Sequence, residues 1–117
     1  MSYFIELQTP EEIEIIKEKS LEKPQVIFKH STRCSISSMA LYRLNKENIQ
    51  TLNAEFYLVN IIRHRDISYK IQHDFKVVHE SPQLLIIFHG KCIYHESHGA
   101  ICLEEIERIL TGLYTNI

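Results

Sequence analysis

The sequence predicts an α/β domain in which helices cover a four-stranded mixed sheet, with one extra helix at the N-terminus. Three patterns indicate this fold class. Short runs of strand-forming residues alternate with amphipathic helical segments. Residues 56–62, FYLVNII, are nearly all apolar, which is typical of a strand covered on both faces. A last apolar run is followed by a His89-Gly90 turn and a returning strand, which predicts a hairpin. The 117 residues fit one domain, 1–117.

The first half of the chain contains a helix and then a strand–helix pair. Thr9-Pro10-Glu11-Glu12 has the N-cap, the proline and the glutamate of a capped helix start, and this helix should end before Pro24. A strand is predicted over residues 25–30 and a second helix over residues 34–48. The apolar residues of that helix recur every four positions, at Ile36, Ala40 and Leu44.

The second half begins with the apolar strand over residues 56–62. Asp66 can cap a third helix, whose apolar residues Ile67, Ile71 and Phe75 fall on one face. The predicted hairpin pairs residues 84–88 with residues 91–96. A final helix over residues 101–113 carries a buried stripe formed by Ile106, Ile109, Leu110 and Leu113. The order is βαβαββα after the N-terminal helix.

Composition excludes several classes of function. The formal net charge of -2 gives no reason to expect nucleic acid or an anionic membrane as a partner. The longest unbroken apolar run is far too short to span a bilayer, and the N-terminus lacks the pattern of a signal peptide. Three cysteines without a CxxC pair make a disulfide framework improbable. We therefore expect a cytoplasmic protein with free thiols.

Cys34 lies where the turn His30-Ser31-Thr32-Arg33 becomes the second helix. Unpaired N–H groups and the positive end of the dipole at a helix N-terminus favour a thiolate over a thiol. The neighbouring charge of Arg33, and His30 at the start of the turn, would also favour the thiolate of Cys34. Cys34 is therefore the candidate nucleophile.

Ser81-Pro82 stands directly before the strand 84–88. The predicted element order is that of the thioredoxin fold, in which a reactive cysteine follows the first core strand. Thioredoxin-like proteins place a cis proline directly before the third core strand, facing that cysteine. The combined positions of Cys34 and Pro82 therefore favour a thiol site on a thioredoxin fold.

The segments HSTRCSISSMA and VHESPQLLIIFHGKCIYHESH resemble the YtxJ-like proteins of bacillithiol-using bacteria, which are monothiol bacilliredoxins. The resemblance covers nearly the whole chain and is carried chiefly by Cys34-Ser35-Ile36-Ser37 and Glu80-Ser81-Pro82-Gln83. Ser35 departs from the proline that more often follows the cysteine in that family.

The resemblance implies a monothiol disulfide oxidoreductase that removes bacillithiol from cytoplasmic proteins, with no tightly bound cofactor. Ser37 takes the position of the resolving cysteine of thioredoxins, and its hydroxyl could donate a hydrogen bond to the Cys34 sulfur. Bacillithiol, the co-substrate, carries carboxylates, so cations near the sulfur are expected. Arg33 is the first candidate, with Lys29, Arg63 and His98 behind it. For these last three we favour the interpretation as solvated surface charges over a role in binding.

The peptide groups of Ser81, beside Pro82, would pair with the extended thiol ligand in the manner of an added strand, and Ser35 lies next to the sulfur. Bacillithiol and proteins modified by it are the expected partners.

Other interpretations stay open on sequence alone. Monothiol glutaredoxins bind an iron–sulfur cluster through one cysteine per subunit, although Ser35 and Ile36 differ from their CGFS motif. A redox-inactive adaptor could use the same fold for binding only. A two-cysteine reductase would need Cys92 or Cys102, which we interpret as core residues. The seven histidines show no spacing typical of structural zinc sites.

Overall fold

A computed structural model describes residues 3–47 and 49–115. The chain forms nine elements in the order β1, α1, β2, α2, β3, α3, β4, β5 and α4 among these residues. Their bounds are Ile5–Glu6, Glu12–Lys19, Gln25–His30, Ser35–Lys46, Glu55–Asn60, Arg65–Phe75, Gln83–Phe88, Lys91–Ser97 and Leu103–Thr115. Short 3₁₀ turns at Ile49–Thr51 and His98–Ala100 precede β3 and α4.

The strands form one mixed sheet in the order β1-β3-β2-β4-β5. Strands β1, β2 and β3 are parallel, whereas β4 is antiparallel to β2 and β5 is antiparallel to β4. The sheet therefore has five strands and not the predicted four. The extra strand, Ile5–Glu6, is only two residues long and exposed. Two residues are too few to show the alternation of apolar and polar side chains that predicts a strand.

Side chains of the sheet alternate between two buried layers, as continuous apolar strands require. On one face Val26 and Phe28 pack with Ala40 and Leu44 of α2 and with Leu110 of α4. On the opposite face the neighbouring residues of β2, β3 and β4 pack against α1 and α3; the buried residues of this layer include Ile13, Ile16, Ile27, Val59, Ile67, Ile71 and Leu85. The helices thus cover both faces of the sheet, and the predicted α/β class is confirmed.

Two helix starts differ from the prediction. Helix α1 begins at Glu12, two residues after Pro10, but Glu12 still reaches back as in a capping box, because its Oε1 accepts the Thr9 N–H at 2.9 Å. Helix α3 begins at Arg65 with His64 at the N-cap, so Asp66 lies inside the first turn and accepts the Ile67 N–H.

Other element ends also move by a few residues. Helix α2 begins one residue after Cys34 and ends at Lys46, so the predicted end at Asn48 lies outside the described residues. Strand β3 ends at Asn60, where the chain turns into the α3 connection before the predicted Ile62. Helix α4 begins at Leu103, two residues after the predicted start, because Ile101 follows the 3₁₀ turn in an extended conformation (φ -70°, ψ 118°).

The apolar stripe predicted for α2 is wrong at its first residue. Ala40 and Leu44 are buried, but Ile36 is 51% exposed. Ser37 takes the buried position instead, because residues at 37, 40 and 44 share one helix face. The first buried position of α2 is thus polar.

The hairpin between β4 and β5 turns at His89 and Gly90, as predicted. Both residues have positive φ, 54° and 81°, which suits a two-residue turn that follows the sheet twist and explains the glycine. The turn is bound to the end of α1, since Ser20 accepts the His89 N–H at its carbonyl and the Gly90 N–H at its hydroxyl.

Candidate active site

Cys34 is the N-cap residue of α2, with extended backbone angles (φ -116°, ψ 119°) and a half-buried side chain. Its N–H donates to the Ser31 carbonyl at 3.2 Å, and its carbonyl accepts the Ser38 N–H at 3.0 Å. The cysteine is therefore held between a tight turn and the first turn of the helix. The first N–H groups of α2 point toward this end, which is a favourable setting for an anionic sulfur.

Ser37 is fully buried beneath this turn and has partners other than the sulfur. Its Oγ shares a hydrogen bond of 2.6 Å with Nδ1 of His30 and accepts the Ser31 N–H at 3.0 Å. Burial lowers the pKa of His30, although the charge of Glu6 opposes the shift. Ser37 thus ties the end of β2 to α2, and it fixes the turn on which Cys34 stands.

Pro82 and His98 lie at the same edge of the sheet as Cys34. Gln83, the first residue of β4, pairs with Lys29 near the end of β2 and with Ser97 at the end of β5. The Ser81-Pro82 peptide bond is cis. The His98 N–H donates to the Pro82 carbonyl at 2.9 Å, which fastens the start of the α4 connection to this proline.

The remaining predicted site residues surround the same edge. Arg33 and Ser35, on either side of Cys34, are exposed, and the Arg33 N–H donates to Oγ of Ser31. Ser81 is half-buried, and its Oγ is buried without a hydrogen-bond partner among the described residues. The fold therefore gathers all seven predicted residues, from three separate parts of the chain, at one edge of the sheet.

Lys29 is not the solvated surface charge that the sequence suggested. It lies on β2 between Phe28 and His30 and is 0% exposed, because α3 and the segment before Pro82 cover its face of the sheet. Its Nζ donates to Nδ1 of His79 at 3.4 Å, and Oγ of Ser68 lies 3.0 Å from the same nitrogen. We call Lys29, Ser68 and His79 the open cluster.

Burial shifts the pKa values of Lys29 and His79 in the open cluster. It lowers the pKa of Lys29 to about 8. Burial, and then the charge of Lys29, also lower the pKa of His79, against the opposing effect of Glu80. At neutral pH Lys29 is therefore charged and its imidazole partner is neutral.

Sequence reasoning also missed a cavity of about 290 Å³ beside the open cluster. It is lined by Ile61, Ile62, Arg65, Ser68, Tyr69 and His79. The Ile61 N–H donates to the His30 carbonyl at 3.0 Å, so this side of the cavity lies next to the end of β2, where the turn to Cys34 begins. A lysine within an otherwise apolar buried strand was the one sequence signal that could have drawn attention to this place.

The other two cysteines lie in different settings. Cys92 is half-buried near the hairpin turn, its thiol donates to the Tyr94 carbonyl, and burial raises its pKa. Cys102 is exposed, so its interpretation as a core residue is wrong. It precedes the first residue of α4, where Ile101 occupies the buried position instead.

Within residues 3–47 and 49–115, no group of three histidine, cysteine, aspartate or glutamate side chains could together hold a metal ion. None of the helices described is long and apolar enough to cross a membrane.

Comparison with known proteins agrees with this geometry. The family model described as monothiol bacilliredoxin BrxC matches residues 5–106. A solved structure described as a candidate oxidoreductase with a thioredoxin fold is 27% identical, with a TM-score of 0.80, covering 91% of this chain and 92% of that chain. A thioredoxin of Nicotiana alata is 17% identical, with a TM-score of 0.74, covering 95% and 92% of the two chains. The thioredoxin of Malassezia sympodialis is 13% identical at a TM-score of 0.72, covering 96% and 91%. The last two matches show the fold alone.

Proposed function

The chain belongs to the monothiol bacilliredoxin family, and from that premise we propose that Cys34 reduces mixed disulfides between proteins and bacillithiol. The observation that carries the proposal is the position of Cys34. It is a half-buried N-cap residue at the edge of the sheet, where the first N–H groups of α2 can stabilise a thiolate. Thiolate is the form that attacks a disulfide.

The reaction proceeds in two exchange steps. The Cys34 thiolate attacks the bacillithiol sulfur of the mixed disulfide, the bond to the protein sulfur breaks, and the protein leaves as a thiolate. Cys34 is then joined to bacillithiol. A second bacillithiol thiolate attacks the bacillithiol sulfur of this adduct, and Cys34 leaves as a thiolate. The two bacillithiol molecules leave as their disulfide. The protein sulfur is therefore reduced to a thiol, and the disulfide bond, which represents a two-electron oxidation, now joins the two bacillithiol molecules.

Ser37 supports the one-cysteine route because no thiol stands three residues after Cys34. Its hydroxyl is already engaged with His30 and Ser31, so its role is to hold the turn. Release of the adduct therefore requires an external thiol.

The small thiol is expected to lie along Ser81 and Pro82, with Arg33, Ser35 and His98 around it. Arg33 is exposed beside the sulfur and can meet an anionic group of the ligand. Bacillithiol is a co-substrate in this proposal, and no tightly bound cofactor is required. The cytoplasm is the proposed compartment, since reducing conditions there keep thiols free.

The test is intact mass after incubation with oxidised bacillithiol, on the wild type and on Cys34→Ser. We expect one bacillithiol adduct on the wild type and none on the variant, and release of the adduct by reduced bacillithiol. A bacillithiolated protein should then be reduced only by the wild type. An unmodified wild type would overturn the oxidoreductase proposal and leave a binding role.

A second variant separates the monothiol route from a two-cysteine route. Loss of two hydrogens by the wild type, without an adduct, would indicate an internal disulfide with Cys92 or Cys102. Ser37→Cys places a thiol at the position of a resolving cysteine. We expect this variant, unlike the wild type, to expel the small thiol and form an internal disulfide.

A further inference from the structure

We propose that the cavity beside the open cluster, backed by Lys29, is the subsite that binds a carboxylate of the small thiol. The inference rests on the proposed function, because it names where part of the same co-substrate binds. The cavity is lined by Ile61, Ile62, Arg65, Ser68, Tyr69 and His79 and has a volume of about 290 Å³, which is room for a small acid group.

The first argument is charge. Lys29 is completely buried, and within residues 3–47 and 49–115 no carboxylate forms an ion pair with it. Arg65 lines the cavity and likewise has no ion-pair partner in that part of the chain. A buried charge without a counterion is costly. An anion bound in the cavity would supply the counterion that buried Lys29 lacks, and it would also meet the exposed Arg65.

The second argument compares the hydrogen-bond donors of the open cluster with the acceptor that they share. The Lys29 ammonium has three protons, and Ser68 contributes a hydroxyl proton. Both groups converge on one acceptor, Nδ1 of His79. That nitrogen has a single lone pair, so it cannot accept all the protons that Lys29 and Ser68 offer. Carboxylate oxygens accept several hydrogen bonds and correct this imbalance.

The third argument is location. The Ile61 N–H donates to the His30 carbonyl, and His30 begins the turn that ends at Cys34. His79, which lines the cavity, stands three residues before Pro82, beside which the thiol is proposed to lie. The cavity is therefore connected through the chain to both segments of the thiol site. We place a carboxylate of the thiol joined to Cys34 in this cavity.

The experiment compares the rates at which Cys34 exchanges with two symmetrical disulfides, followed by intact mass. One is the disulfide of mercaptosuccinate, which carries carboxylates, and the other is the disulfide of 2-mercaptoethanol, which is uncharged. Each protein gives a ratio of the two rates, and the intrinsic reactivities of the disulfides cancel when variants are compared. Arg65→Gln and Lys29→Met should each lower the ratio roughly tenfold, the equivalent of one charge-assisted hydrogen bond.

Arg63→Gln is the matched control, because it removes one exposed cation from the same connection but does not line the cavity. Its ratio should change by less than about twofold, as expected for a screened surface charge. Arg65→Lys, which keeps the charge, should recover part of the lost preference. Equal ratios for the wild type, Arg65→Gln and Lys29→Met, with exchange intact, would overturn the subsite and leave the proposed function standing.

A binding measurement that involves no reaction at sulfur tests the subsite even if Cys34 does not react with either disulfide. Succinate, a dicarboxylate without a thiol, should shift the imidazole NMR signals of His79 in the wild type and not in Arg65→Gln. If succinate binds in this way but neither disulfide reacts, the subsite stands and the oxidoreductase proposal fails. If succinate leaves His79 unchanged and the rate ratios do not differ, the subsite is wrong.

Discussion

Two polar clusters lie on the same face of the sheet, at opposite ends of β2. At its start, Nε2 of Gln25 donates to Oε1 of Glu55 at 2.9 Å and to the Lys23 carbonyl at 3.0 Å, while Oε1 of Gln25 accepts the Tyr57 hydroxyl at 2.8 Å. We call Gln25, Glu55 and Tyr57 the closed cluster. At the end of β2 lies the open cluster of Lys29, Ser68 and His79.

The two clusters differ in whether their hydrogen-bond donors and acceptors are all paired. In the closed cluster each donor meets an acceptor, and burial together with Glu55 raises the pKa of Tyr57 to about 12, so its hydroxyl stays a donor. In the open cluster a charged donor shares one neutral acceptor beside a cavity. Satisfied buried polar groups stabilise a fold, whereas unsatisfied ones lower stability and are typical of binding sites. The start of β2 is thus complete without a ligand, whereas its end holds a buried charge for which we propose an anionic ligand.

Gln25→Leu should produce the largest change, because it breaks the closed cluster. The Tyr57 hydroxyl and the Glu55 carboxylate each lose a hydrogen-bond partner inside the protein. We expect the free energy of unfolding to fall by about 2–3 kcal/mol, measured by urea denaturation. The rate ratio for the charged and uncharged disulfides should be unchanged. A loss of that preference would mean that the two clusters are not independent.

Lys29→Met should act in the opposite direction in the same denaturation experiment. The substitution keeps most of the side-chain volume and removes a buried charge that has no anionic partner among the described residues. The free energy of unfolding should rise by about 1–3 kcal/mol at pH 7. A marked decrease would show that Lys29 stabilises the ligand-free fold, and the contrast between the clusters would then be lost.

The pH dependence of stability should separate the two clusters further. Burial lowers the pKa of Lys29 to about 8 in the folded protein, from about 10.5 in the unfolded chain. Between these values the unfolded state binds more protons, so this lysine makes the folded state more stable as pH rises. The stability difference between Lys29→Met and the wild type should therefore shrink from pH 8 to pH 10.5. A constant difference over this range would contradict a lowered pKa for Lys29.

Gln83→Met should have the smallest effect. Gln83 lies beside Lys29 in the sheet; its Nε2 donates to the Val78 carbonyl at 3.0 Å, but its Oε1 is buried without a hydrogen-bond partner among the described residues. The substitution loses one hydrogen bond and removes one unsatisfied acceptor, and these contributions nearly cancel. Urea denaturation should find a change of less than about 0.5 kcal/mol. A loss of several times this value would indicate that Oε1 has a partner in solution.

Much of the candidate site could be predicted from sequence because its signals are local. Cys34 stands between a strand and a helix that their own residues specify, and Ser81-Pro82 directly precedes an apolar strand. The nearness of these segments follows from the strand order alone. By contrast, Lys29 and Cys102 were assigned to the wrong environments, because the exposure of a single residue depends on which distant segments cover it.

Apart from the short strand β1, the sequence by itself determined the element order, the α/β class and the edge of the sheet at which the thiol stands. These features depend on the spacing of apolar residues and on turn residues, which act over a few positions along the chain. Only the tertiary structure decided that Ser37 replaces Ile36 in the core, that Lys29 is buried, and that a cavity lies between β3, α3 and the segment before Pro82. Such features arise where α3 and the segment around His79 cover β2, and the packing of residues far apart in the chain is not encoded in any local pattern.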